Sequence, residues 1–192
     1  MPTHLPTCAF TSPTDKIARF EAQAGLEEAV RLINDEEADI LVEAERMSSH
    51  LKNKTLAVYA ITGLGGVAER WRQQFNENAK MLGWQGVVPE MNHNELVGWE
   101  GGSNQFAAIF LRSKNDYGRN QHRVEISKKL IKEKTSQVLE LWAKGKSRIE
   151  QVLYLVHFGD WVSYYLSEIN QVDIMDIKSI DLLKSELSKL KK

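Results

Sequence analysis

The stretch LAVYAITGLGGVAERWRQQFNENAKMLGWQGVVPEMNHNELVGWE, residues 56–100, decides how the chain folds. An apolar run from Thr55 to Ile61 carries Val58, Tyr59 and Ile61, the composition of a strand buried on both faces of a parallel sheet. Thr62, Gly63, Leu64, Gly65 and Gly66 follow as a turn. Glycine there permits backbone angles that a Cβ forbids and lets a ligand approach the main chain. From Val67 the residues Val67, Trp71, Phe75, Ala79 and Leu82 recur at helical spacing, and Gly83 is expected to stop that helix. Val87 and Val88 make a short second strand ending at Pro89. A segment crowded with acids, amides and one histidine, His93, comes next. Strand, glycine turn, helix and strand together open a parallel α/β unit.

The same alternation continues downstream. Phe106 to Leu111, FAAIFL, reads as a third strand, and residues 112–120 as a polar loop holding Gly118. His122 to Ile131 reads as a helix with Val124, Ser127 and Ile131 on one face, and Ser136 to Leu141 as a fourth strand. Ile149 to Ile169 is a long apolar helix containing Leu153, Val156, Trp161, Tyr164 and Tyr165. Ile180, Leu183 and Leu187 mark a terminal helix, whose C-terminal end suits Lys189, Lys191 and Lys192. Upstream, Leu26, Ala29, Val30 and Ile33, then Leu41, Ala44, Met47 and Leu51, form an apolar stripe. Gly25 is expected to interrupt it, giving two short helices or one broken one, with Asp35, Glu36 and Glu37 facing water. Residues 1–14 hold Pro2, Pro6 and Pro13 and are expected to form an extended arm or linker remnant, leaving 15–192 as one domain. The pattern predicts a central parallel sheet covered by helices on both faces, with right-handed connections. Ligands in such sheets bind beyond the carboxyl ends of the strands. That rule puts the Gly63–Gly66 turn, the 89–100 segment and the 114–118 loop on one rim.

Composition narrows the partners. Within 192 residues, 25 basic and 26 acidic side chains leave a formal net charge of −1, which gives no support for a nucleic-acid surface. Cys8 is the only cysteine, so neither an intrachain disulfide nor a thiolate metal cluster can form. No apolar run reaches membrane length, and MPTHLPTCAF lacks the basic flank and apolar core of a signal peptide. A cytoplasmic protein is the expectation.

The turn G-L-G-G is not the dinucleotide fingerprint G-x-G-x-x-G, and it lacks the Lys-Ser/Thr ending of a phosphate-binding P-loop. It is either a tight strand-to-helix turn or the wall of a sugar-phosphate pocket. Glu77 stands between Asn76 and Asn78 near the end of its helix. A lone helical Glu is usually solvated, but burial near a ligand rim would raise its pKa and suit a general base. His93, flanked by Asn92 and Asn94, either caps a turn or moves protons near neutral pH. A metal held by Glu90, His93 and Glu95 is disfavoured, since no H-x-x-x-H or H-E-x-x-H is present. His122 and His157 read as structural, His157 as a satisfied buried imidazole. Core packing accounts for most of the five tryptophans. Trp99, beside Gly98, Gly101 and Gly102, could instead line a cleft or subunit contact. There is no G-x-S-x-G nucleophile elbow.

Three segments carry a specific resemblance. ERWRQQFNENAK, VPEMNHNELVGWE and YYLSEINQVD are similar to the C-terminal half of the bifunctional phosphoglucose/phosphomannose isomerases, of the sugar isomerase (SIS) superfamily, from about Leu26 onward. The resemblance implies a three-layer αβα sandwich of flavodoxin/Rossmann-like topology. It also implies interconversion of glucose 6-phosphate or mannose 6-phosphate with fructose 6-phosphate, without metal or organic cofactor. Carried over by motif, Glu77 resembles the base that moves a proton between C2 and C1 through a cis-enediol(ate). His93 resembles the ring-opening histidine that a neighbouring subunit of a homodimer supplies. Lys184, in I-x-L-L-K-x-x-L, resembles the lysine that assists ring opening. Gly65 and Gly66 are candidate substrate contacts, and Arg70 is a candidate substitute for the family's enediolate-steadying arginine.

The chain also departs from that pattern. Family members carry two SIS domains, the first holding a Ser/Thr-rich phosphate loop and an arginine. Neither an S-G-x-[ST] segment after an early strand nor a G-G-R is present here. The expectation is a second SIS domain that binds phosphosugars poorly by itself, with a separate or deleted first domain as partner. The alternative is a non-catalytic phosphosugar-binding or assembly module.

Overall fold

In the computed structural model, the backbone is described over residues 13–190 and side chains over residues 22–190. Strand β1 (Thr55–Ile61) is buried at every position after Thr55, as its unbroken apolar run requires. It pairs in parallel with β2 (Gly83–Val88) on one side and β3 (Phe106–Arg112) on the other. Strand β4 (Val138–Trp142) joins β3, also in parallel. The four-stranded order is β2-β1-β3-β4.

Helices cover both faces. Helices α1 (Pro13–Leu51), α2 (Gly65–Glu77) and α5 (Arg148–Asn170) meet Leu56, Val58, Ala60, Ala107, Ile109 and Leu111 from one side. The alternate residues Ala57, Tyr59, Ala108 and Phe110 point the other way. They pack on helix α4 (Gly118–Lys132) and on the segment after β2. That segment is a 3-10 turn at Glu90–His93, a one-turn helix α3 (Glu95–Gly98) and a second 3-10 turn at Trp99–Gly101. The architecture is the expected three-layer αβα sandwich. Among the described residues no helix is long and apolar enough to cross a membrane.

Two glycines act differently from their sequence reading. Gly25 does not break α1, which runs without interruption for 39 residues. A Cβ at Gly25 would lie 3.0 Å from Ile149 Cδ1, so its bareness allows α5 to pack close. The propensity cost of one glycine, about 1 kcal/mol, is small beside the apolar stripe that the helix buries. Gly83 does not stop α2, which ends at Glu77. The chain instead reverses at Lys80, whose φ is 57°. Gly83 is the first residue of β2, where a Cβ would meet the Leu56 carbonyl oxygen at 2.4 Å. Pro13 and Thr14 belong to α1, so the expected arm ends earlier; its other residues lie outside the described ones.

Helix α6 (Lys178–Ser188) buries no residue. Ile180, Leu183 and Leu187 are 40%, 59% and 56% exposed.

Candidate functional site

The rim beyond the strand ends is built as the topology requires. Gly63 takes φ 87°, a conformation glycine adopts freely. Gly65 lies where a Cβ would come within 2.9 Å of Val87 Cγ2, so the start of α2 packs against β2. Gly66 has open space around it. The Thr62 hydroxyl donates to the Val88 carbonyl at 3.0 Å and ties the turn to the end of β2. Arg70 is turned away from this rim. Its guanidinium contacts Asp160 of α5 at 3.2 Å, and Gln74 donates to the same carboxylate at 2.8 Å.

His93 lies on this rim, exposed at the end of the first 3-10 turn. Its neighbours are anchored. Asn92 Nδ2 donates to Ser127 Oγ of α4 at 2.7 Å, and Met91 is buried. Glu95 points inward, so Glu90, His93 and Glu95 do not converge. Among the described residues no group of three potential ligands could hold a metal.

Glu77 is elsewhere. Helix α2 starts at the rim and runs back along the sheet, so its last residue reaches the edge where the strands begin. Glu77 therefore does not lie on the rim that carries the glycine turn. There Glu77 is exposed and lines a cleft of about 420 Å³ with Asn76, Lys80, Asp176, Lys178 and Ser179. Ile180 of α6 closes one wall, and Lys184, exposed, lies one helical turn further along that face. Glu77 and Lys184 thus belong to one end of the molecule and His93 to the other. The six residues of β2 span about 20 Å between the two edges, beyond any side chain's reach.

Lys80 escaped the sequence reading, whereas Asp173 begins a new turn as expected. Lys80 Nζ donates to the carbonyl of Glu77 at 2.7 Å and to that of Asp176 at 2.8 Å, fastening the start of α6 to the end of α2. The only available signal was the lysine closing N-E-N-A-K. Other expectations held with adjustment. Trp99 does line a cavity, of about 220 Å³, with Trp84, Glu95 and Phe106. His157 is satisfied by Glu37 at 2.6 Å but is a third exposed rather than buried.

The family described as bacterial phospho-glucose isomerase C-terminal SIS domain has a sequence model that matches residues 41–187. A bifunctional phosphoglucose/phosphomannose isomerase of Caldicellulosiruptor bescii is 36% identical over 180 residues, covering 86% of this chain and 52% of that one. The enzyme of the same name from Aquifex aeolicus is 31% identical over 166 residues, covering 85% and 52%. The chain therefore spans about half the length of the curated relatives it matches. A glucose-6-phosphate isomerase like protein from Thermus thermophilus superposes with TM-score 0.59 at 23% identity, over 74% of this chain and 46% of that one. The C-terminal domain of glucosamine-fructose-6-phosphate aminotransferase from Francisella tularensis gives 0.66 at 12%, over 85% and 48%. These two share the fold. By sequence, the chain belongs to the bacterial phosphoglucose isomerase C-terminal SIS-domain family.

Proposed function

We propose that this chain is the base-bearing half of a cytoplasmic isomerase that interconverts glucose 6-phosphate or mannose 6-phosphate with fructose 6-phosphate. The observation that carries this reading is the placement of Glu77 and the Lys184 helix at one cleft, with His93 exposed at the far edge. Such an arrangement suits a homodimer in which His93 of one copy reaches the Glu77 cleft of another.

Glu77 takes the proton from C2 of the open aldose and returns it to C1, passing through a cis-enediol(ate). One carboxylate serves both carbons without moving. Before that, the closed sugar needs an acid at the ring oxygen and a base at the anomeric hydroxyl, the pair that His93 and Lys184 supply. The Lys184 ammonium also opposes charge developing on the enediolate oxygen. None of these steps calls on a metal or organic cofactor. The substrate phosphate is gripped by a first SIS domain, which docks on the apolar face of α6; the exposure of Ile180, Leu183 and Leu187 supports this partner.

The test is conversion of fructose 6-phosphate, coupled to a glucose-6-phosphate readout, with and without a first SIS domain from the same genome. The chain alone is expected to be nearly silent, and the pair active. Glu77→Gln should remove about 10²–10⁴-fold of that rate. A rate untouched by Glu77→Gln would sink the proposal. The separation of His93 from the Glu77 cleft within one copy favours a second reading, a phosphosugar-binding module without turnover. Thermal stabilisation by fructose 6-phosphate, with no conversion in any pairing, would establish that reading.

A further inference from the structure

Glu95 follows His93 by two residues, yet the two side chains have opposite surroundings. His93 is exposed. Glu95 turns toward the sheet, where its Oε2 accepts from the Tyr59 hydroxyl at 2.7 Å and from the Trp84 indole N–H at 2.7 Å. The Trp99 indole N–H in turn donates to the Tyr59 oxygen at 2.9 Å. Tyr59 is fully buried in β1, so this network refers the segment to the central part of the sheet. Burial, and then the adjacent Glu95 carboxylate, push the Tyr59 hydroxyl well above its ordinary range, which keeps it a donor. The other Glu95 oxygen fills the space that Gly86 leaves, since a Cβ there would lie 2.7 Å from Oε1.

A second tie lies on the other side of His93. Asn92 donates to Ser127, a fully buried residue of α4 whose own hydroxyl donates to the Arg123 carbonyl at 2.8 Å. His93 is therefore bracketed, with one anchor on the residue before it and another two residues after. One anchor leads to α4, the other to β1 and β2. A histidine exposed between two such anchors is held for presentation, not used for packing. Acid–base catalysis depends on this, because a misplacement of about 1 Å can cost on the order of 10²-fold in rate.

We propose that Glu95 is a positioning residue: its carboxylate, clamped by Tyr59 and Trp84, fixes the outward presentation of His93 for sugar ring opening. The inference rests on the reading of His93 as the ring-opening group. Two donors converging on one carboxylate oxygen make charge-assisted bonds, which are stronger than neutral ones. Gln at this position keeps the shape and an acceptor but loses the charge, whereas Ala loses the clamp.

Hydrogen exchange of the amides of residues 91–94 tests the clamp without any assay of turnover. In Glu95→Ala and in Trp84→Phe, exchange there should accelerate at least about tenfold, while the amides of β1, β3 and α4 keep their protection. Glu95→Gln should fall between those variants and the parent. If Glu95→Ala does not fold, Trp84→Phe decides, because it removes one donor and keeps an aromatic ring. With the first SIS domain present, the same variants should lower kcat about 10- to 100-fold at little-changed KM, without adding to the loss in His93→Ala. Unchanged exchange at 91–94 in Trp84→Phe would overturn the inference, whatever happens to turnover. Accelerated exchange together with full activity of His93→Ala would leave the clamp standing and remove the ring-opening reading beneath it.

Discussion

Lys80 returns its ammonium to the main-chain oxygen of Glu77, 2.7 Å away, at the last turn of α2. A cation at a helix C-terminus is favourable, because unpaired carbonyls gather partial negative charge there. The same nitrogen reaches the Asp176 carbonyl, so one side chain couples the Glu77 terminus to the turn that leads into α6. Lys80→Met is expected to loosen residues 173–177, seen as faster amide exchange, at a cost of about 1–2 kcal/mol in urea unfolding. Exchange at 173–177 equal to the parent's would show that α6 holds its position without this link.

Gly159 of α5 faces the indole of Trp71, where a Cβ would come within 2.2 Å of Nε1. That indole also donates to the Leu155 carbonyl at 2.8 Å and stacks on Phe158. Gly159→Ala gains about 1 kcal/mol of helix propensity but forces two buried helices apart. Overpacking of this kind typically costs about 1–3 kcal/mol, and loss of the buried hydrogen bond adds about 1 kcal/mol. A net destabilisation of about 2 kcal/mol is expected by urea unfolding, with Trp71 emission moving to longer wavelength. A neutral or stabilised variant would mean that α2 and α5 are free to separate.

The central strands were legible because β1 and β3 are buried on both faces and therefore spell continuous apolar runs. Strand β2 showed only its last two residues. As an edge strand it tolerates Gln85 and Gly86, and its first glycine imitates a helix stop. Gly25 misled for the same reason, since a glycine needed for close approach and one that breaks a helix look alike in sequence. Glu77 and His93 were singled out by their motifs. Their separation came from the direction of α2, whose 13 residues carry Glu77 back across the sheet. N-E-N-A-K pointed to Lys80 but not to its link, because both its acceptors are main-chain oxygens, one of them 96 residues away.

The outer edge of the sheet holds an ion-pair cluster. Arg112, only 2% exposed, donates to Glu125 at 2.8 Å and to Glu140 at 3.0 Å, and lies over the Trp142 ring. The Arg112 hydrogen bond, reinforced by Lys128, holds the Glu125 carboxyl below its ordinary value of 4.5. A carboxyl depressed in the folded state stabilises the fold above its unfolded pKa. That contribution is lost as pH falls through the lower, folded value. Glu125→Gln should therefore flatten the loss of stability below about pH 4.5 and leave the shape of the curve above pH 6 unchanged. Because Glu125 is 55% exposed, the effect should be small and should shrink with added salt. Parallel curves for parent and variant from pH 3 to pH 7 would rule this linkage out.

Helix α6 carries Ile180, Leu183 and Leu187 on one stripe, and all three remain substantially exposed. Lys184 follows Ile180 by one helical turn on that side, so whatever covers the stripe also limits where the lysine can reach. Each apolar side chain, if fully buried, would contribute roughly 1.5–3 kcal/mol, enough together to hold a domain against the helix. A first SIS domain added in solution is therefore expected to protect the amides of residues 178–188 from exchange. Leu183→Asp combined with Leu187→Asp should abolish both that protection and the restored turnover. The same pair should leave the thermal midpoint of the isolated chain nearly unchanged, because neither residue is buried there. Turnover restored equally well in the double variant would place the docking surface elsewhere and remove the support for the proposed role of Lys184.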